Sequence, residues 1–186
     1  IEIVEVSSGI IFQNNDFKIE ASPMKHGTPA LAYSLMLKDK IRINKKKLKK
    51  LKIPDTPLIK NLQKGRDIVI NNKKIRAKYL TYIEKGKKIT IILDTKLNKN
   101  AIKLAKNSDI LICESTFSSK ENKIASAHNH LTAEQAAQIA KKSNSKSLIL
   151  THISQRHEDN LYAIKKEAEK IFKKVSIAND LESIEV

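Results

Sequence analysis

Several residue types are scarce in this sequence, and each shortage excludes a class of protein. Among its 186 residues there is one cysteine, Cys113, and no tryptophan. A single cysteine cannot form an internal disulfide framework and suits a reducing compartment, so we expect a cytoplasmic protein. Aromatic residues make up only 4% of the chain, so extensive stacking on nucleic-acid bases is excluded. No apolar run approaches the roughly 20 residues of a membrane-spanning helix, so we expect no membrane partner.

Positive charge is what the sequence has in excess. Lysine and arginine number 36 against 20 acidic residues, for a formal net charge of +16. Nine of the basic residues fall within 38–52, where only Asp39 opposes them. A solvated, lysine-rich surface would explain this segment, but its density favours a segment that contacts nucleic-acid phosphates rather than base edges. The candidate RNA-binding residues are Lys45, Lys46, Lys47, Lys49, Lys50 and Lys52.

The pattern of apolar residues changes near residue 87. Before it, short β-like runs separated by turn residues indicate antiparallel strands. These strands are predicted at 1–6, 9–13, 17–22, 32–38, 67–70 and 74–83. One or two helical turns are predicted at 58–65, and the two prolines of 53–57 exclude a regular element there.

After residue 87, buried strands alternate with amphipathic helices, which predicts an α/β fold with helices covering a sheet. The predicted strands are 88–93, 109–113, 147–151 and 175–179. The predicted helices are 98–107, 131–143 and 158–174, and Thr132 is the predicted N-cap of the second.

Ionisable residues follow three of the apolar strands directly. Asp94, Glu114 and His152 come after 88–93, 109–113 and 147–151 respectively. Ligands gather at the carboxyl ends of strands in open α/β sheets, so we expect a site there, although a lone aspartate in such a position often only caps a helix.

Histidines add metal-binding chemistry to these strand ends. His26 lies in a loop after a strand, and with Asp94 and His152 it offers two imidazoles and a carboxylate, donors that suit Zn²⁺. A shared carboxylate could bridge two metals, but three ligands cannot fill two zinc sites. His128 and His130 form an H-x-H pair at a helix start, where we expect His128 to be exposed rather than a ligand.

Five motifs of the chain resemble those of ribonuclease Z, the tRNA 3′-processing endonuclease of the metallo-β-lactamase superfamily. The resemblance covers residues from about 9 to 186, with Cys113 where that family usually has histidine. The motifs are MKHGTPALAY (24–33), ILDT (92–95), CESTF (113–117), HNHLTAEQAA (128–137) and LILTHISQRH (148–157).

The resemblance implies a fold and a set of roles. Residues 1–186 would form the C-terminal half of a metallo-β-lactamase αββα sandwich, with a protruding basic arm at 38–65 that binds tRNA. His26 would bind one zinc, Asp94 would bridge two, and His152 would bind the second. Glu114 would orient His130, which would protonate the leaving 3′-oxygen of the ribose.

The activity implied is removal of the 3′ trailer from precursor tRNA by two-zinc hydrolysis, which leaves a tRNA 3′-hydroxyl. The family is usually homodimeric. Its H-x-H-x-D-H motif, which supplies most zinc ligands, is not matched, because Leu131 to Glu134 follow the one H-x-H pair. We therefore expect a C-terminal fragment, or one of two chains, whose remaining ligands come from an N-terminal half. That half would also cover the apolar sheet face that this one exposes.

Other interpretations remain open at this point. The chain could belong to another metallo-β-lactamase phosphodiesterase, which would not need the basic arm. It could be an RNA-binding fragment without metal or catalysis, and a measurement of metal content would distinguish this possibility from an enzyme. It could also be a structural α/β module with an incidental basic loop, in which case substitutions at Asp94, Glu114 and His152 would change stability rather than activity.

Overall fold

The computed structural model describes residues 3–54, 56–70 and 72–185. These form two units, one of Ile1–Leu37 with Lys87–Val186 and one of Lys38–Gly86. In chain order, strands β1 to β11 are Gly9–Gln13, Phe17–Met24, Ala30–Leu37, Lys40–Ile43, Ile68–Ile70, Lys73–Ile75, Thr81–Glu84, Lys88–Ile92, Ile110–Glu114, Leu148–Thr151 and Val175–Ile177. Helices α1 to α7 are Lys45–Lys50, Ile59–Gln63, Ala77–Leu80, Lys99–Leu104, Asn122–Ala127, Ala133–Lys142 and Leu161–Glu169.

The first unit is built on a seven-stranded sheet with the order β1-β2-β3-β8-β9-β10-β11. Strands β1, β2, β3 and β8 pair antiparallel, and β8, β9, β10 and β11 pair parallel. The predicted change from antiparallel strands to α/β layering is therefore confirmed, and it occurs where β3 pairs with β8. The parallel strands end at a common edge, which brings the residues after them together.

One face of this sheet packs against helices α4, α6 and α7. Helix α6 begins at Thr132, whose side chain accepts from the N–H of Gln135 while Gln135 caps Thr132 in return. Its alanines let it lie close to the sheet. The shared core joins helix residues such as Ile139 and Ile164 to sheet residues such as Leu111 and Leu150.

The opposite sheet face is apolar and partly open. Tyr33, Ile91, Ile112 and Ile149 are successive cross-strand partners and therefore share one face. Tyr33 and Ile91 are 40% and 41% exposed, whereas Ile149 is 4% exposed. The C-terminal tail approaches the parallel half of the sheet, where Ile184 and Ile149 line one cavity of about 350 Å³. The expected open face is present over the antiparallel half of the sheet.

The second unit, Lys38–Gly86, has its own small core. Strands β4 and β7 pair antiparallel, as do β5 and β6. Leu48, Leu62 and Leu80 come from three short helices and are buried with Ile59, Ile68 and Ala77. The unit extends past residue 65, where the predicted arm ends.

Three predictions of secondary structure are wrong. Residues 3–6 form no strand, and residues 1 and 2 lie outside the described part. The predicted strand 74–83 is interrupted by α3. The Asp67 carboxylate accepts a hydrogen bond from the N–H of Ala77 at 3.0 Å, and Ala77 and Leu80 are buried in the small core. The predicted helix 158–174 shortens to α7, since a 3-10 turn at Gln155–Asn160 precedes it. The described helices include none long and apolar enough to cross a membrane.

Candidate active site

The three ionisable residues at the ends of strands β8, β9 and β10 meet at one edge of the sheet. Glu114 is the last residue of β9, while Asp94 and His152 follow β8 and β10 in tight turns with φ of 44° and 54°. Positive φ is costly for residues other than glycine and is often retained at functional sites. These turns direct Asp94 and His152 towards the same place.

Asp94, His130 and His152 form a group that could hold a metal ion. Their ligand atoms all lie within 4.8 Å of one another. His152 Nε2 is 3.6 Å from Asp94 Oδ1, and the rings of His130 and His152 stack with centroids 5.3 Å apart. Two imidazoles and one carboxylate are donors that suit zinc and related metals. The residues present therefore fit part of a metal site.

His26 lies beside this group. Its Nδ1 donates to the carbonyl oxygen of Asn129 at 3.2 Å, and its ring centroid is 5.0 Å from that of His130. It is not one of the three residues whose ligand atoms cluster. The roles predicted for His26 and His130 as ligand and acid stay predictions, although the residue whose ligand atom groups with those of Asp94 and His152 is His130.

Glu114 is the buried centre of the site. It has no exposed surface, and its Oε1 accepts from the N–H of Thr95 at 2.6 Å and from His130 Nδ1 at 3.0 Å. Its Oε2 accepts from the Thr116 hydroxyl at 2.8 Å and from the N–H of Leu131 at 2.9 Å. A buried carboxylate is tolerated only when it is hydrogen-bonded in this way.

Two threonines that were not predicted from the sequence link the residues of the site through hydrogen bonds. Thr95 Oγ1 accepts from the N–H of Lys25 at 3.1 Å, which ties the loop carrying His26 to the end of β8. Thr116 Oγ1 lies 2.8 Å from His152 Nδ1 as well as 2.8 Å from Glu114. The sequence feature that could have identified them is their position inside the ILDT and CESTF motifs.

Cys113 stands next to Glu114 but takes no part in the site. The residue is completely buried, and this burial raises the pKa of its thiol well above the ordinary value, with the nearby Glu114 charge acting in the same direction. The thiol is therefore protonated at neutral pH and is neither a nucleophile nor a metal ligand.

A third carboxylate, that of Glu121, binds two side chains of the segment that follows His152. Glu121 accepts from His157 Nε2 at 2.7 Å and from Arg156 at 3.2 Å. Partial burial opposes ionisation of Glu121, but the N–H of Ser118 and these two side chains hold its pKa below the usual value. Arg156 also lies over the ring of Phe117 at 5.4 Å. His128 is exposed, as expected, and its ring stacks on Phe117.

The candidate RNA-binding lysines lie in the second unit. All six are exposed, and Leu48 is the buried residue of α1. Helix α1 begins at Asn44, whose side chain accepts from the N–H of Lys47 at 3.0 Å. Arg42, Lys45 and Lys49 line a cavity of about 800 Å³ on this unit together with the apolar residues Ile43 and Leu48. The unit thus presents positive charge above a partly apolar surface.

Curated relatives of the chain are ribonuclease Z proteins. The one from Protochlamydia amoebophila is 36% identical over 174 residues, covering 94% of this chain and 56% of the relative. The one from Listeria welshimeri is 37% identical over 186 residues, covering 98% of this chain and 61% of the relative. The chain thus spans about three fifths of the length of these relatives. No family model matches it.

Two solved structures share the fold. The metallo-β-lactamase fold protein YhfI from Bacillus subtilis has a TM-score of 0.57 at 18% identity, over 90% of this chain and 48% of that one. The short form of human tRNase Z has a TM-score of 0.56 at 22% identity, over 95% of this chain and 47% of that one. The resemblance seen in the motifs is therefore confirmed: this chain has part of a metallo-β-lactamase fold and is a relative of the ribonuclease Z proteins.

Proposed function

We propose that this chain is the C-terminal part of a zinc-dependent endoribonuclease that removes the 3′ trailer from precursor tRNA and leaves a 3′-hydroxyl. The observation that carries the proposal is the hydrogen bond of 3.0 Å between Glu114 and His130, next to the ligand atoms of Asp94 and His152. The names of the curated relatives support the substrate class.

Asp94 and His152 would hold the metal, with His26 as a further ligand. We propose that the metal is zinc and that Asp94 would help to hold two such ions, because a carboxylate offers two oxygen donors. Zinc, when bound, acts as a Lewis acid and supplies a nucleophile at neutral pH. The three residues are too few for two ions, so the remaining ligands would come from an N-terminal half of the same protein.

His130 would act as the general acid. Glu114 Oε1 accepts a hydrogen bond from His130 Nδ1 at 3.0 Å, which fixes the ring and leaves Nε2 to deliver a proton. The receiving atom would be the 3′-oxygen of the tRNA as it leaves the phosphate. Glu114 is buried and fully hydrogen-bonded, so it holds the His130 ring in one orientation.

The second unit would hold the body of the tRNA. Six exposed lysines on and after α1 supply charge for phosphate contacts, which position a substrate without reading its sequence. The open sheet face around Tyr33 and Ile91 would be covered by the N-terminal half. We further propose that the whole protein is a cytoplasmic homodimer, as the family resemblance implies.

The proposal is tested with the longer protein that contains this chain. Precursor tRNA with a 3′ trailer is incubated with it, and the product ends are mapped. We expect one cut that leaves a tRNA 3′-hydroxyl, loss of cutting with a chelator, and recovery with zinc.

Two outcomes would contradict this function. Hydrolysis of a small phosphodiester such as bis(p-nitrophenyl) phosphate without cleavage of precursor tRNA would indicate a different phosphodiesterase of this fold. Tight RNA binding with neither bound metal nor cleavage would indicate an RNA-binding fragment. Exposed Glu158→Gln is the control variant, since that residue lies outside the site and should leave cleavage unchanged.

A further inference from the structure

The hydrogen bonds of Glu114 determine where its neighbours carry protons. A carboxylate has about four acceptor positions and no donor. Each oxygen of Glu114 has two partners, one of which is a backbone N–H. The other two partners, His130 Nδ1 and the Thr116 hydroxyl, must therefore both donate, because an acceptor in either place would face a carboxylate lone pair.

The Thr116 hydroxyl has only one proton, and that proton goes to Glu114. Its oxygen is then an acceptor for its remaining close partner, His152 Nδ1, at 2.8 Å. His130 Nδ1 is 3.5 Å from the same hydroxyl and makes its shorter bond to Glu114. His152 must consequently carry its proton on Nδ1.

We propose that Thr116 is a positioning residue through which Glu114 sets the tautomer of His152. One buried carboxylate then holds two imidazoles, His130 directly and His152 through the hydroxyl, with a proton on each Nδ1. In the neutral form of each ring, Nε2 then has a free lone pair. In water a neutral histidine prefers the opposite tautomer, with the proton on Nε2, so the site selects the less common form.

The surroundings of His152 Nε2 agree with a proton on Nδ1. Its Nε2 lies 3.6 Å from Asp94 Oδ1, which is too far for a hydrogen bond. A lone pair on Nε2 can therefore be directed, together with the Asp94 carboxylate, at a third group. Partners that fix the tautomer of a metal-binding histidine typically change metal affinity by about 10- to 100-fold when removed.

The test begins with the metal-free form of the longer protein that contains this chain, labelled with ¹⁵N histidine. Long-range ¹H–¹⁵N spectra at about pH 8, above the usual histidine pKa of about 6.5, report which ring nitrogen carries the proton. In the unaltered chain we expect His152 and His130 to be protonated on Nδ1. In Thr116→Val we expect His152 to change to Nε2 while His130 stays on Nδ1. Thr116→Ser, which keeps the hydroxyl, should preserve the original pattern.

A matched control separates positioning from general loss of stability. Thr90 is a fully buried threonine, and its hydroxyl bonds to Ser34 and Ser108 in the core beside the helices. Thr90→Val should lower stability without changing any histidine tautomer. Exposed His128 serves as an internal reference, because its tautomer should be the same in every variant.

The second measurement is zinc affinity of the longer protein that contains this chain. We expect Thr116→Val to weaken zinc binding about 10- to 100-fold and Thr116→Ser to leave it within a few fold. A proton on Nε2 of His152 in the unaltered chain would overturn the proposal, as would an unchanged zinc affinity in Thr116→Val. The metal readout rests on the proposed function, but the tautomer result does not, so failure to cleave precursor tRNA is distinguishable from failure of this inference.

Discussion

At the scale of single residues, His130 has neighbours that suit two roles. Its Nδ1 bonds to buried Glu114, which suits a general acid, and its ligand atom lies within 4.8 Å of those of Asp94 and His152, which suits a metal ligand. His152 differs because, within the described part of the chain, the partner of its Nδ1 is the Thr116 hydroxyl rather than a carboxylate. The two imidazoles should therefore respond differently to removal.

Substitution of each histidine by alanine separates the two roles. We expect His152→Ala to release metal from the longer protein. We expect His130→Ala to retain metal but lower turnover by about 10²- to 10⁴-fold, the usual contribution of a general acid. Zinc content by mass spectrometry and single-turnover cleavage rates provide the measurements. Equal zinc loss in both variants would make His130 a ligand and remove it as the acid.

At the scale of elements, helix α1 fixes the basic residues on a folded unit. Leu48 anchors the helix in the core of Lys38–Gly86, and the lysines around it remain exposed. Charge on a fixed helix can follow a phosphate backbone with less loss of conformational freedom than charge on a free chain. RNA binding by this unit should therefore be strong at low salt and weaken steeply as salt rises.

Salt dependence of RNA binding tests this helix. With about four to six phosphate contacts, the slope of log K against log salt should lie near −3 to −5. Replacing Lys45, Lys46 and Lys49 together by glutamine should make it shallower by roughly 2 to 3. The control replaces Lys99, Lys103 and Lys106, exposed lysines on and just after α4, with the same loss of charge. A flat salt response, or equal effects of the two triple variants, would contradict a role for α1.

At the scale of the whole molecule, the two faces of the large sheet differ. Helices α4, α6 and α7 cover one face, while Tyr33 and Ile91 on the other are about two-fifths exposed. An apolar patch of this kind is typical of a surface that binds another protein segment. The relatives have about two fifths of their length outside the matched region, which is enough to cover it.

Charged substitutions on the open face test what covers it. We expect the chain alone to bind a hydrophobic dye and self-associate, and Tyr33→Glu with Ile91→Lys to reduce both. The same pair should prevent assembly with a separately produced N-terminal half. Dye fluorescence and sedimentation provide the measurements, and Tyr162→Glu on the exposed surface of α7 is the matched control. A monomeric chain without dye binding would contradict the prediction.

Much of the first unit could be predicted from the sequence because its signals are local. Apolar runs predicted β8, β9, β10 and β11, and the residues that end these strands lie at one edge of the sheet as a consequence of parallel pairing. The capping sequence at Thr132 predicted the start of α6. These features depend on neighbours within a few residues, so they can be recognised in the sequence without knowledge of the fold.

The remaining features of the fold and of the site were decided only by the tertiary structure, because they depend on contacts between residues that are distant in the sequence. Helix α3 forms where Asp67 reaches Ala77 and where Leu80 enters a small core, which apolar spacing alone does not indicate. The link from Glu114 through Thr116 to His152 joins residues up to 38 positions apart and depends on the register of β9 against β10. Sequence determined which residue types stand at the strand ends, and packing determined which atoms face one another, since a hydrogen bond exists only at a distance that the fold sets.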